Sequence, residues 1–210
     1  MTICTRAITT RIVLAILLVS ATATTALAQS AGPPSFSIGD TWTRSNGQEL
    51  TVVRVDGGRT VVAGVLRDCA ACVSHYNNEL QLLEVTDASG KPMDIMQVPG
   101  FVPLGSSWRV FDWPMVVGKA WSFSADGAFK GSVRPYNVDT TIAAYEEVKT
   151  KAGTFKAYKM QRSWSVGGRG ARRSEWSDSL WYAPDVKSTI KFTSTNRNVP
   201  DWELASYSLK

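Results

Sequence analysis

Apolar and polar residues alternate with a period of two along this chain. In Thr154–Val166, Tyr158, Met160, Trp164 and Val166 fall on one face, and Lys159, Gln161 and Ser163 on the other. In Glu175–Ala183, Trp176, Leu180 and Tyr182 share a face with Asp178. Val61, Ala63 and Val65 alternate in the same way, as do Val138, Thr140 and Ile142. Successive strand side chains point to opposite faces, so this spacing predicts strands with one face on a core and one in water. Turn-forming residues separate the runs: Asn46-Gly47, Asp56-Gly57-Gly58, Asn77-Asn78, Ala88-Ser89-Gly90, Asp126-Gly127 and Gly167-Gly168. No stretch after residue 28 carries apolar residues at helical spacing over three turns. The expectation is therefore about ten strands with little helix.

Local connections favour antiparallel meanders, and a long sheet twists and curls. The predicted fold is all-β: a single antiparallel sheet curled into a half-barrel or open barrel. Two sheet sections are expected, at roughly residues 36–96 and 115–208. Each opens on a similar phrase, Ile38-Gly39-Asp40-Thr41-Trp42-Thr43 and Val117-Gly118-Lys119-Ala120-Trp121-Ser122. A shared geometry at the start of a strand explains that echo as well as duplication does. Between the sections lies Val98–Pro114, with three prolines and the aromatics Phe101, Trp108, Phe111 and Trp113. Proline cannot donate to a ladder, so this segment reads as a loop. So apolar a loop needs cover, either as a plug at one end of the sheet, the favoured reading, or as a lid over a cavity.

The first 28 residues place the protein. Arg6 and Arg11 precede an uncharged apolar run, Ile12–Ser20, and Ala26-Leu27-Ala28 offers a cleavage site. This is the pattern of a secretory signal peptide, too short for a membrane span. Cleavage after Ala28 leaves 182 residues read as one β-rich domain, 29–210. The formal net charge of +5 falls by two as the leader departs, too little for a nucleic-acid footprint. No second long apolar stretch predicts a membrane span. The expected location is periplasmic or secreted, in a bacterium. All eight tryptophans follow residue 28. Their plain role is a β-rich core; the alternative is a groove for a lipid, sugar or peptide.

Candidate chemistry is sparse. Cys69-Ala70-Ala71-Cys72 can be a disulfide, a redox centre or half of a metal site. Strand-like flanks disfavour a redox centre, which wants its first thiol at a helix N-terminus. Zinc wants four ligands, and Cys69, Cys72 and His75 are the available soft set after residue 28. A short structural disulfide is expected, with no metal and no cofactor. His75 is the single histidine and falls near a predicted turn. None of the familiar nucleophile-elbow, zinc-helix, P-loop or dinucleotide motifs occurs. Glu146 and Glu147 point to opposite faces of a strand, and Asp112 and Asp139 are far apart in sequence. Gly167–Arg173 is a basic, glycine-rich hairpin tip. Arg169, Arg172 and Arg173, with Arg162 upstream, are candidates for contact with an anionic head group, set against the alternative of a solvated tip.

The C-terminal half carries a set of phrases: Trp113-Pro114 with Val117-Gly118-Lys119-Ala120-Trp121, then Val148 with Ala152-Gly153-Thr154-Phe155, then Trp181-Tyr182-Ala183-Pro184-Asp185-Val186. Over residues 113–207 this resembles a group of exported bacterial β-proteins of unknown function. The resemblance implies the curled antiparallel sheet of lipoprotein-carrier-like proteins and supplies no catalytic residue. Lys187 stands where that pattern commonly has glycine. Together these features predict a non-enzymatic binding protein for an apolar or amphipathic ligand, a lipid or envelope component, with Phe101, Trp108, Phe111 and Trp113 as wall or lid. The alternative is an envelope assembly adaptor working through a protein partner. A hydrolase whose carboxylates converge only in three dimensions is the third expectation.

Overall fold

The computed structural model describes residues 29–66, 69–91, 102–103, 109–129, 132–167 and 174–210. The chain enters its sheet in the middle. β1 (Thr41–Arg44) starts a meander through β2 (Glu49–Asp56), β3 (Arg59–Leu66) and β4 (Cys69–Asn77) to β5 (Leu82–Thr86) at one edge. The next strand, β6 (Val102–Pro103), lies at the opposite edge. From there β7 (Ala120–Phe129), β8 (Ser132–Thr150), β9 (Gly153–Val166), β10 (Ser174–Ala183), β11 (Ser188–Ser194) and β12 (Trp202–Ser208) meander back. β12 then pairs with β1, joining the two arms. The described residues thus form a 12-stranded, wholly antiparallel sheet in the order β5-β4-β3-β2-β1-β12-β11-β10-β9-β8-β7-β6. It is not closed into a barrel, and its opening falls between β5 and β6, neighbours in sequence. A 3₁₀ turn at Pro184–Val186 is the helix present among the described residues. None of the described helices is long and apolar enough to cross a membrane. The leader, residues 1–28, lies outside the described residues.

The alternation read from sequence has its physical counterpart. Along β10, Trp176, Asp178, Leu180 and Tyr182 face inward as one stripe, with Asp178, Leu180 and Tyr182 buried. Along β9, Tyr158, Met160, Trp164 and Val166 are buried while Gln161 and Ser163 are exposed. Bulges shift the phase where the alternation breaks. One between Ile142 and Ala144 in β8 and another opposite Trp181–Tyr182 let residues of both parities be buried nearby. Trp181 is covered on the other face from Tyr182. Its indole lies between the ammonium groups of Lys159 and Lys191, at 5.3 and 5.2 Å, and donates to Glu146 Oε1 at 2.8 Å.

Two details differ from the sequence reading. Asp126-Gly127 is not a turn: both residues pair within β7–β8, opposite Pro135 and Arg134, and the strand runs on to Phe129. Val102-Pro103 is not loop but a two-residue edge strand on β7, and an edge is where a sheet tolerates proline. His75 lies near a turn as expected, two residues before Asn77, within β4 and paired to β3 and β5, with its Nε2 3.3 Å from Thr86 Oγ1.

The sequence echo is one backbone geometry used twice. Gly39 (φ 92°) donates to Val52 O at 2.8 Å, and Val52 N returns a bond to Asp40 O at 2.9 Å. Gly118 (φ 87°) donates to Ile142 O at 2.8 Å, and Ile142 N returns one to Lys119 O at 2.9 Å. In both, the residue after glycine also donates back three residues, Asp40 to Ser37 O and Lys119 to Val116 O. Positive φ makes glycine the natural occupant of this turn. Each turn delivers a buried tryptophan, Trp42 or Trp121, to the core.

The residue after each glycine also fastens distant chain. The Asp40 carboxylate, wholly buried, accepts from Ser37 N (2.9 Å), Lys210 N (2.8 Å) and Lys187 Nζ (3.0 Å). Lys187 adopts the left-handed conformation, φ 57°, in which glycine is usual. Its bond to Asp40 is a reason for lysine there. Trp42 Nε1 closes the same region by donating to Val186 O at 2.8 Å. Around it pack Val52, Val148, Ala183, Ile190 and Leu204, one of the hydrophobic clusters of the sheet.

Two predictions follow from these contacts. Gly64 in β3 pairs with Leu50 on one side and Cys72 on the other, and a Cβ there would collide with the carbonyl oxygen of Glu49. Gly64→Ala is expected to cost about 3 kcal/mol, read as a lowered urea midpoint with an unchanged slope; wild-type stability would contradict the register. For Asp40, burial alone would raise the carboxyl pKa, but two backbone donors and Lys187 outweigh it and hold the value below the ordinary one. Its contribution is therefore present above about pH 4 and lost as pH falls through the depressed folded value. Asp40→Asn should lose about 3 kcal/mol at neutral pH. The gap from wild type should shrink below about pH 4, and a pH-independent gap would refute the assignment.

Candidate functional site

One face of β8–β12 carries Ile142, Tyr158, Met160, Leu180, Tyr182 and Phe192, and the segment 109–116 lies across it. That segment is held by its own polar contacts. Lys119 Nζ donates to the carbonyls of Asp112 (2.9 Å) and Pro114 (3.1 Å) and pairs with the Asp112 carboxylate at 3.0 Å. Arg109 pairs with the same carboxylate at 3.1 Å, and Trp121 Nε1 donates to Arg109 O at 2.9 Å. Met115 is fully buried and exchanges two backbone bonds with Ala31, so the first described residues lie alongside. The phrase Trp113-Pro114 followed by Gly118-Lys119 and Trp121 is thus a device for laying this segment on the sheet.

The segment presents aromatic rings. Phe111 and Trp113 are stacked at 5.5 Å, and both meet Tyr182 edge-on at 5.6 and 5.4 Å. Phe192 and Trp202 stack at 6.0 Å in the same cluster. Phe111, Trp113 and Trp202 are only half-buried. Burial pushes the Tyr182 hydroxyl far above the usual tyrosine range, so it stays protonated. Trp113 also reaches the other arm, donating from Nε1 to Glu79 O at 3.1 Å in the β4–β5 connection. The segment therefore touches both arms. Phe101 and Trp108, expected in the same wall, lie outside the described residues.

Next to this wall sits Arg44 of β1, which no motif announces. Its guanidinium carbon lies 3.9 Å from the centre of the Trp202 ring. Nη1 donates to Gln48 Oε1 at 2.9 Å, and Nε is buried with no acceptor. Tyr76 of β4 is close enough for its hydroxyl to feel the charge. Burial pushes the Arg44 pKa down to about 10 and pushes that of Tyr76 up, despite the hydrogen bond from Ser74 and the neighbouring charge. The signal that could have found Arg44 is its spacing: it stands two residues after Trp42, on the inward parity of β1.

A second arginine shows the paired state. Arg162 and Asp178, directly opposed on β9 and β10, are both buried. Nε meets Oδ1 at 2.6 Å, Nη2 meets Oδ2 at 2.9 Å, and Trp164 Nε1 donates to Oδ2 at 2.8 Å. The Trp164 and Trp176 rings stack at 5.5 Å, with Tyr136 edge-on to both. Arg162 is therefore a member of the covered face and not part of a basic tip. Arg169, Arg172 and Arg173 lie outside the described residues.

The remaining candidates stay apart. Glu146 accepts from Trp181 while Glu147 is exposed, as opposite-face neighbours should be. Asp112 is taken by Lys119 and Arg109, and Asp139 by Ser122 Oγ at 2.6 Å. Among the described residues no group of three His, Cys, Asp or Glu side chains could hold a metal ion. Two grooves of about 400 and 310 Å³ run over β9 and β10 instead of beneath 109–116. Ser163, Ser177 and Thr195 line both. Cys69 and Cys72 lie within β4, not at a helix start. Gly64 pairs with Cys72 and Leu66 with Cys69, so β4 carries one extra residue between the cysteines.

No family model and no curated protein matches the chain. Among solved structures it is similar to a protein assigned as a lipoprotein from Parabacteroides distasonis, at 11% identity over 86% of this chain and 100% of that one, TM-score 0.46. It is also similar to the hypothetical lipoprotein YmcC of Escherichia coli, at 9% identity over 86% and 90% of the two chains, TM-score 0.42. A protein from Bacteroides fragilis assigned as exported, with a YmcC-like fold, matches at 12% identity over 85% and 99%, TM-score 0.39.

Proposed function

We propose that this is an exported, non-enzymatic binding protein for an amphipathic ligand, a lipid or an envelope component. The observation that carries the reading is the half-buried aromatic wall of Phe111, Trp113 and Trp202, set on an open sheet whose two arms are bridged by Trp113. Aromatic rings offer large apolar area at small entropic cost, and an open sheet leaves room for an acyl chain to lie against them. Asp40, Asp112, Asp139, Glu146 and Asp178 are each engaged by structural partners, which supports binding over catalysis. The leader pattern supports export to the periplasm or beyond it.

Native mass spectrometry of gently purified protein should show a bound lipid, and fatty acids should displace a fluorescent apolar dye. Phe111→Ala with Trp113→Ala should weaken that binding about tenfold or more, since each ring removed forfeits 1 kcal/mol or more of contact. Protein free of lipid that leaves the dye undisplaced would reject the reading. A stoichiometric protein captured from envelope extracts would favour the adaptor.

The same reading includes a structural disulfide between Cys69 and Cys72. The extra residue in β4 restores a period-two relation between these positions in the register, and export places them in an oxidising compartment. Thiol counting on denatured, unreduced protein lacking its leader should find no free thiol. Replacing both by serine should cost about 1–2 kcal/mol, below the usual range because the loop is short. Two free thiols in fresh periplasmic material would overturn the pairing.

A further inference from the structure

We infer that Arg44 is the head-group anchor of the site, and that the amphipathic ligand carries an anionic head: a carboxylate or phosphate that docks on the guanidinium while its apolar part lies on the aromatic wall. This rests on the amphiphile-binding reading above and names the ligand's chemistry.

The argument begins with an imbalance. Taking a guanidinium out of water is costly unless an anion or a full set of acceptors compensates it. Arg162 meets that requirement through Asp178, which takes up the Nε and Nη2 edge in a two-point contact. Arg44 as a whole is half-buried, with its Nε fully enclosed, yet no carboxylate among the described residues pairs with it. Gln48 takes Nη1, and Trp202 covers one face of the plane. Its Nε, the atom through which Arg162 meets Asp178 Oδ1, has no protein acceptor. A planar fork with two parallel donors suits a carboxylate or a phosphate oxygen pair.

The surroundings fit a head group. The ring beneath Arg44 belongs to Trp202, stacked on Phe192 in the cluster that includes Phe111 and Trp113. Charge and apolar wall are thus contiguous, in the order an amphiphile needs. A structural cation placed for stability would have a carboxylate beside it, as Arg162 does.

The test compares ligands that share a chain and differ in head. Oleate, oleyl alcohol and inorganic phosphate are titrated into wild type, Arg44→Met and Arg44→Lys, with tryptophan fluorescence and dye displacement as readouts. Met keeps an apolar stem on Trp202 and removes the charge; Lys keeps the charge and removes the fork. Wild type should bind oleate about tenfold or more tighter than oleyl alcohol, the factor expected for one charge-assisted contact. Arg44→Met should bind the two equally, with oleyl alcohol affinity unchanged, and Arg44→Lys should retain part of the preference. The urea midpoint of Arg44→Met should be at or above that of wild type, because a cation with no opposing carboxylate and a buried, unpartnered Nε is gone. An undiminished oleate preference in Arg44→Met overturns the anchor. So does a wild type that binds both lipids equally, an outcome that leaves the amphiphile reading standing. Failure of both lipids to bind wild type rejects that reading and the anchor with it. Phosphate binding that depends on Arg44, with no preference for oleate, would replace the head-group anchor by a free-anion site. A marked fall in the urea midpoint of Arg44→Met would identify a structural cation instead.

Discussion

The two arms of the sheet meet at one seam, β1 against β12, and the buried carboxylate of Asp40 fastens it. Ser37 from the approach to β1, Lys187 from the 3₁₀ turn after β10, and Lys210 at the far end of the sequence all donate to it. A carboxylate with no exposed surface tolerates such a position because donors surround it. The seam carries a register shift between Thr43 and Arg44, so ladder bonds alone bind it unevenly. If it opens, each arm is a meander with a free inner edge, and the wall of β8–β12 loses its neighbour β1. Arg44 and Trp202 face each other across that same seam, so the candidate anchor exists only while it is closed.

The second glycine turn repeats the device with the charge reversed. Asp40 gathers donors, while Lys119 gathers acceptors: the carbonyls of Asp112 and Pro114 and the Asp112 carboxylate. The shared part is backbone geometry, dictated by a positive φ at glycine and a reciprocal pair of bonds to the next strand. The side chain that follows is free to serve local need. One turn binds the chain's later half to its beginning, and the other lays an aromatic segment across the sheet. The arms are therefore stitched twice, at the β1–β12 seam and again where Trp113 meets Glu79.

Two arginines show how one residue type takes two roles in one sheet. Arg162 has a directly opposed aspartate, and strand pairing brings fork and carboxylate together without a search. Arg44 lies opposite Leu204, so pairing brings it no anion. It is held by stacking and by one side-chain amide. Such an arrangement orients a guanidinium without neutralising it, and orientation without neutralisation is what recognition of an anion requires.

The sequence alone determined the all-β class and the inward stripes of β9 and β10, because strand periodicity is a local property of the chain. It also located the turns at Asn46-Gly47 and Asp56-Gly57-Gly58, where glycine's positive φ is a local demand. It marked Trp113 and Phe111 as unusual, since proline and aromatics together in a loop need cover. It misread Asp126-Gly127 as a turn, because what holds that strand straight is its partner pair Arg134–Pro135 on the neighbouring strand β8. It could not show that Lys187 keeps a glycine-like conformation against Asp40, 147 residues distant. Nor could it separate Arg44 from Arg162. Both stand on the inward parity of a strand, and only the register across the sheet decides that one meets an aspartate and the other a leucine. Local periodicity assigns a side chain to a face; which groups then touch is settled by register and bulges, and those belong to the assembled sheet.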